Sequence, residues 1–142
     1  EKAACMMADS AGRFHPDHRS LLAYEQALRA PYAGVSHAER AMIAYAIGCR
    51  YEKDFKRPSE YLGLTTDEQA DRAKQLGSAM RLGAVFSGRS GPILQRASLA
   101  RKGGDLELHV LKVDAPMVSD TVLRRLSQTA NQLRLKPKVV EV

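Results

Sequence analysis

The sequence predicts a mainly α-helical protein that closes on a small strand–helix–strand α+β appendage. Three observations carry that prediction. Apolar residues recur at helical spacing over most of the first 90 positions, whereas residues 105–110 alternate polar and apolar as a half-buried strand does. Two capping boxes, Ser36 with Glu39 and Thr66 with Gln69, mark helix starts. The 142 residues are 44% apolar and 27% charged, the balance of a globular chain rather than a disordered one. The helical block is assigned to residues 1–98 and the appendage to residues 99–142.

Taken in order, residues 1–9 read as the last turns of a helix, with Ala3, Ala4, Met6 and Met7 directed inward. Gly12 suits the exit from that helix, because glycine tolerates the left-handed conformation. Residues 13–16 form a loop, and Pro16 fits a first helical position, where its missing N–H costs nothing. A second helix follows from about Asp17 to Leu28, ended by Pro31 and Gly34. The third starts at the Ser36 capping box and runs to about Tyr51. Its middle, Ala41 to Ile47, is apolar all round, as a central buried helix is, and its small residues let neighbouring helices approach closely. Residues 52–64 are polar and broken by Pro58 and Gly63, so they form a loop. A fourth helix starts at the Thr66 box, with Asp67, Glu68 and Asp71 in a first turn that the helix dipole favours. It runs to about Phe86, and Gly88 and Gly91-Pro92 end it. Gly103-Gly104 turns into a strand at 105–110. Pro116 and Ser119 introduce a helix to about Leu133, and residues 138–142 close the chain as a short strand.

Composition bounds the function. The net charge of +6 biases the surface toward anions. No apolar run approaches the roughly 20 residues that span a bilayer, and the first residues do not form a signal peptide. Cys5 and Cys49 read as two buried free thiols in a reducing compartment, because a disulfide framework needs more cysteines. Aromatic residues make up 6% of the chain and there is no Trp. Without basic–aromatic interleaving a base-stacking surface is not expected, which argues against nucleic acid. Glu1 falls in mid-helix with neither Met nor cap, as in the interior of a longer chain.

Two constellations have chemical content. Residues 5–24 gather Asp9, Arg13, His15, Asp17, His18 and Arg19. A metal-dependent helical phosphohydrolase needs a His, an adjacent His-Asp pair and a distant Asp, which hold a divalent ion and lower the pKa of its bound water. Here Ala8 stands where the doublet's His would be. Asp9 remains a weak metal candidate, and no later residue supplies the distant ligand. The second constellation is the stretch from Arg72 to Gly104, where Arg72, Lys74, Arg81, Arg89, Arg96, Arg101 and Lys102 follow one another without an acid. Such a run can bind phosphates through charge-assisted contacts. Arg13, His15, His18 and Arg19 extend it if the fold brings the opening loop alongside. The competing reading is a solvated basic face.

The run from Ala3 to Arg19, the segment His37-Ala38-Glu39-Arg40-Ala41 leading to Arg50-Tyr51-Glu52, and Ala79 to Ser87 followed by the strand 106–110 together resemble one known domain. It is the C-terminal helical domain of the exopolyphosphatase and guanosine pentaphosphate phosphohydrolase family, in its alphaproteobacterial form. Order and spacing match over nearly the whole chain, although Ser10, Ala11 and Phe14 differ from the commoner loop. The resemblance implies an HD-like helical fold without the metal ligands of HD phosphohydrolases. It implies catalysis in two upstream actin-like domains, with Mg as the parent enzyme's cofactor and none in this part. It implies that this domain lines a basic channel for polyphosphate and supports a homodimer.

The reading is therefore a cytoplasmic, non-catalytic domain of an enzyme that cleaves polyphosphate or guanosine pentaphosphate. Its candidate chain-binding residues are Arg13, His15, His18, Arg19, Arg81, Arg89 and Arg96, and no catalytic residue is assigned. The alternatives are a self-sufficient metal-dependent HD phosphohydrolase and a purely structural dimerisation module.

Overall fold

A computed structural model describes residues 1–142. It contains six α-helices: α1 (Lys2–Met6), α2 (Pro16–Arg29), α3 (His37–Tyr51), α4 (Asp67–Ser87), α5 (Gly91–Leu94) and α6 (Asp120–Gln132). Short 3-10 turns occupy Ser59–Leu64 and Lys112–Met117. Three strands, β1 (Ser98–Lys102), β2 (Asp105–Val110) and β3 (Lys136–Glu141), form one sheet in the order β1-β2-β3. The fold is thus mainly helical with a small strand-containing appendage, as the sequence predicts. The chain forms two compact units, Glu1–Met80 and Arg81–Val142.

In the first unit, α3 is the element the others cover. Every residue from Ile43 to Arg50 is buried. Its start is fixed by the expected capping box, with Ser36 Oγ accepting from the Glu39 amide and Glu39 Oε2 accepting from the Ser36 amide. Such a cap contributes about 1 kcal/mol. The apolar helix then packs with Ala4, Ala23, Tyr24, Ala27, Ala70 and Ala73 in one core. Small residues make this possible. A methyl group on Gly77 of α4 would lie 2.6 Å from the Ala46 carbonyl oxygen and 2.5 Å from Cys49 Cβ, so the backbones approach as the small residues of the third helix predict. Tyr24, Tyr45, Phe55 and Tyr61 form an aromatic group beside it.

The second unit is a ββαβ arrangement. β1 and β2 pair antiparallel across the Gly103-Gly104 turn, and β2 and β3 pair parallel through the α6 crossover. Leu106, Leu108 and Val110 share a core with Val122, Leu126 and Ala130 of α6 and with Leu82 and Phe86. Ser119 caps α6 by accepting from the Val122 amide.

Several local expectations are corrected. The opening helix stops at Met6 and continues as turns. Gly12 is not among the residues with positive φ, so it does not serve as the left-handed exit. Met6 is 79% exposed, and the inward residues are Ala4 and, in part, Ala3 and Met7. Cys49 is buried as expected, but Cys5 is exposed. β1 was not anticipated, because Ser98-Leu99-Ala100-Arg101-Lys102 has no β-branched residue and is an exposed edge strand without a strong alternation. β3 begins two residues earlier than expected. Pro137 is tolerated there because β3 is also an edge strand and needs no ladder donor on its outer side.

The Gly77 contact yields a direct prediction. Gly77→Ala forces a methyl into two backbone-anchored neighbours and should lower stability by about 1–3 kcal/mol. The same change at Gly63, where nothing lies within 4 Å, should be near neutral. Urea unfolding midpoints of the two variants check this.

Candidate functional site

The opening loop of the first unit is built on the last turn of α3. That turn ends in Arg50-Tyr51-Glu52, and each of the three side chains ties down a different part of residues 9–20. Arg50 Nη2 donates to Asp9 Oδ1 at 3.0 Å, with 7% of the Arg50 side chain and 53% of that of Asp9 exposed. The Ala11 amide donates to the Tyr51 hydroxyl at 3.2 Å. Ser20 Oγ donates to Glu52 Oε2 at 2.6 Å. The Arg50 guanidinium also lies 5.0 Å from the centre of the Tyr51 ring, a cation–π distance.

Asp9 therefore has a cationic partner from the protein itself. A guanidinium supplies the positive charge that a divalent ion would supply at this carboxylate. No group of three or more His, Cys, Asp or Glu side chains converges in a metal-holding arrangement.

The candidate residues of the loop divide by role. Arg19 is structural in part, because its Nε and Nη2 both donate to the Phe14 carbonyl, at 3.0 and 2.7 Å. Its guanidinium lies 5.9 Å from the Tyr51 ring centre. His15 is the N-cap of α2, where Nδ1 accepts from the Asp17 amide at 3.3 Å. Sequence reading placed Pro16 correctly at the helix start but missed that cap, because His is an uncommon N-cap residue. His18 is exposed, with its ring 6.3 Å from that of His15. Arg13 is exposed and forms no ion pair. Arg13, His15 and His18 are thus the loop's outward polar groups.

The seven-cation run looks different in three dimensions. Arg72 pairs with Glu1 at 2.5 Å and Lys74 with Asp71 at 3.2 Å. Arg81 is buried, at 8% exposure. Arg96 Nη2 donates to Asp114 Oδ1 at 2.7 Å, a contact between residues 18 positions apart. Arg89, Arg101 and Lys102 remain exposed and outside any ion pair. Linear spacing between carboxylates did not reveal the Arg72 and Arg96 pairs, because Glu1 and Asp114 come from elsewhere in the chain, whereas Asp71 directly precedes the run.

Net charge divides unequally between the units. Glu1–Met80 holds 11 Lys and Arg against 11 Asp and Glu, which is neutral. Arg81–Val142 holds 11 against 5, which is the whole +6 of the chain. Within the second unit one ionic group is internal to the sheet. Glu107, with 5% of its side chain exposed, accepts from Lys138 Nζ at 2.8 Å and pairs with His109 Nε2 at 2.9 Å. The Lys138 hydrogen bond is the main cause that holds the Glu107 carboxyl below its ordinary range, and Glu107 in turn raises Lys138.

The fold and these features define a helical domain with a polar loop tied to its central helix and a basic ββαβ unit. The family described as exopolyphosphatase, C-terminal, matches residues 1–140, and the chain belongs to that family. No curated protein matches the chain.

Two predictions follow from these pairs. Asp9→Ala leaves the buried Arg50 without this carboxylate and should lower stability by about 1–2 kcal/mol. Asp9→Asn, which keeps an acceptor, should cost less, and chemical unfolding separates the two. Glu107 has a depressed carboxyl pKa in the folded chain, so its contribution is present above the unfolded value and is lost as pH falls through the folded one. Stability should therefore decline as pH drops below the ordinary carboxylate value of 4.5. Glu107→Gln should flatten that part of the pH–stability curve.

Proposed function

We propose that this chain is the non-catalytic C-terminal domain of an exopolyphosphatase-like enzyme, where it helps bind the polyphosphate chain and supports a homodimer. The observation that carries the reading is the partition of charge. A family devoted to a polyanionic substrate has here a unit of 62 residues, from Arg81 to Val142, that bears the entire +6. Arg89 is exposed on it, and Arg96 keeps 46% of its side chain exposed although it is paired. In the first unit, Arg13, His15 and His18 point outward from a loop that Arg50, Tyr51 and Glu52 hold in shape.

The parent enzyme would cleave terminal phosphoanhydride bonds of polyphosphate, or of guanosine pentaphosphate, in actin-like domains elsewhere in the chain, with Mg at that site. The cytoplasm is the proposed location. No helix here is long and apolar enough to cross a membrane. The Arg50–Asp9 pair supports a non-catalytic role for this domain, because a carboxylate already neutralised by a guanidinium is a poor metal ligand.

Polyphosphate should bind with an affinity that falls at least tenfold between about 50 and about 200 mM salt, as contacts dominated by phosphate do. Replacing Arg89 and Arg96 with Ala should weaken it further. Calorimetric titration at the two salt levels measures both effects, and no salt-sensitive binding would refute the ligand role. Sedimentation analysis tests the dimer separately, and a monomer at all concentrations would refute that part.

A further inference from the structure

Four cations outside the candidate set meet at one end of the sheet. They are Arg101, Lys102, Arg134 and Lys136. The strand register dictates the meeting. Lys102 on β1 and Lys136 on β3 both align with Asp105 on β2, which places their Cα atoms about 10 Å apart, two strand spacings. The Lys136 amide donates to the Gly104 carbonyl at 2.9 Å, so the start of β3 is fixed to the β1–β2 turn. Arg101 lies one residue before Lys102 and so leaves the opposite face of the sheet, flanking the turn from the other side, and Arg134 lies two residues before Lys136. All four are exposed, and none forms an ion pair. Asp105 is the acid between them, which leaves this end strongly positive.

The backbone there is open as well. Nothing lies within 4 Å of the position a side chain would take at Gly103 or Gly104, and Gly103 has φ of +58°. A ligand can therefore approach the turn's main chain closely, which side chains would prevent. Arg134 adds an independent observation. It is the residue after the C-cap of α6, in a motif where the Leu135 amide donates to Ala130 and the Arg134 amide to Asn131. That position is usually glycine, yet here an arginine adopts φ of +57°. A role for the side chain would account for an arginine held in the left-handed region against its preference.

We infer that this end of the sheet is the cradle that grips a linear phosphate chain, with Arg101, Lys102, Arg134 and Lys136 closing around the Gly103-Gly104 turn. The inference rests on the polyphosphate reading above and deepens it by naming the contact surface. Phosphate chemistry is favoured over single-stranded nucleic acid because Phe86 is the one aromatic residue of the second unit and it is buried, at 3% exposure. The one other planar ring there, the His109 imidazole, is held against Glu107, which leaves no aromatic platform to stack on bases.

The test titrates the 142-residue chain with inorganic polyphosphate. Arg101→Gln, Lys102→Gln and Lys136→Gln combined should lower affinity at least tenfold and flatten its salt dependence. Lys53→Gln with Lys56→Gln, exposed cations of the first unit, should change neither. Arg134→Gly should raise the melting midpoint, because glycine suits that backbone, while it lowers affinity. A cation that only blunts the sheet edge or complements the helix end would not split the two readouts in this way. In the unmodified chain, the Gly103 and Gly104 amide resonances should shift on addition of polyphosphate, a measurement that stands even if the triple variant fails to fold. Binding retained by the triple variant, with unmoved glycine amides, overturns the cradle and leaves the proposed function standing. No binding by the unmodified chain overturns both. Equal binding of single-stranded RNA through the same residues overturns the assignment to polyphosphate.

Discussion

The burial of α3 is the constraint on which the first unit depends. A helix that is apolar on every side from Ile43 to Cys49 can be stable only if other elements enclose it completely. Burying Ile47 alone contributes about 1.5–3 kcal/mol. Enclosure at backbone-to-backbone distance requires Gly77 against Ala46 and Cys49. It also fixes where α3 ends. The polar residues Arg50, Tyr51 and Glu52 emerge where the apolar run stops, and the opening loop must meet their hydrogen-bonding demands. The shape of residues 9–20 is thus set by the end of α3 together with the loop's own Arg19–Phe14 and His15–Asp17 hydrogen bonds.

This explains why the loop keeps its form without a metal ligand set. A bound divalent ion organises a loop by attracting its carboxylates. Arg50 does the same for Asp9 with a charge that cannot be removed by chelation, and its planar group also lies against Tyr51. The exchange has a chemical consequence. A metal lowers the pKa of bound water and so generates a nucleophile, whereas a guanidinium offers only hydrogen-bond donors. A loop held by a guanidinium keeps its geometry without a metal-activated water, which is compatible with the non-catalytic role proposed above.

Much of this was legible in the sequence, and the limits have identifiable causes. Both capping boxes, the buried character of α3, Pro16 at the head of α2 and the strand β2 were local patterns, and they formed as read, except that Glu107 on the polar side of β2 is buried as well. That Ala8 offers no metal ligand is visible as a residue type. The pairing of its neighbour Asp9 with Arg50 is not, because the two residues of that ion pair lie 41 positions apart. The basic run from 72 to 104 is interrupted by carboxylates in the same way at two points: Glu1 reaches Arg72 and Asp114 reaches Arg96 through folding, whereas Asp71 pairs with Lys74 locally, three residues on. β1 escaped notice because an edge strand is stabilised by its partner's hydrogen bonds and needs little apolar pattern of its own.

The separation of charge also bears on how such a domain can handle a long anion. A first unit of zero net charge can attract a phosphate chain only locally, as at Arg13, whereas the net positive second unit favours an anion more generally, within a screening distance of about 8 Å at physiological salt. Within that unit the ionic groups are not equivalent. Lys138 is already committed to Glu107 and Arg96 to Asp114, so a ligand that recruited them would first have to displace a carboxylate. Arg89, Arg101, Lys102, Arg134 and Lys136 carry no such cost. Two of those five, Arg89 and Arg134, occupy left-handed backbone positions where glycine would be easier to accommodate. Stability alone does not favour arginine at either place. A free cation held at a fixed point on the surface would account for arginine at either place on the polyphosphate-binding proposal, since a polymer of closely spaced phosphates can engage several such points at once.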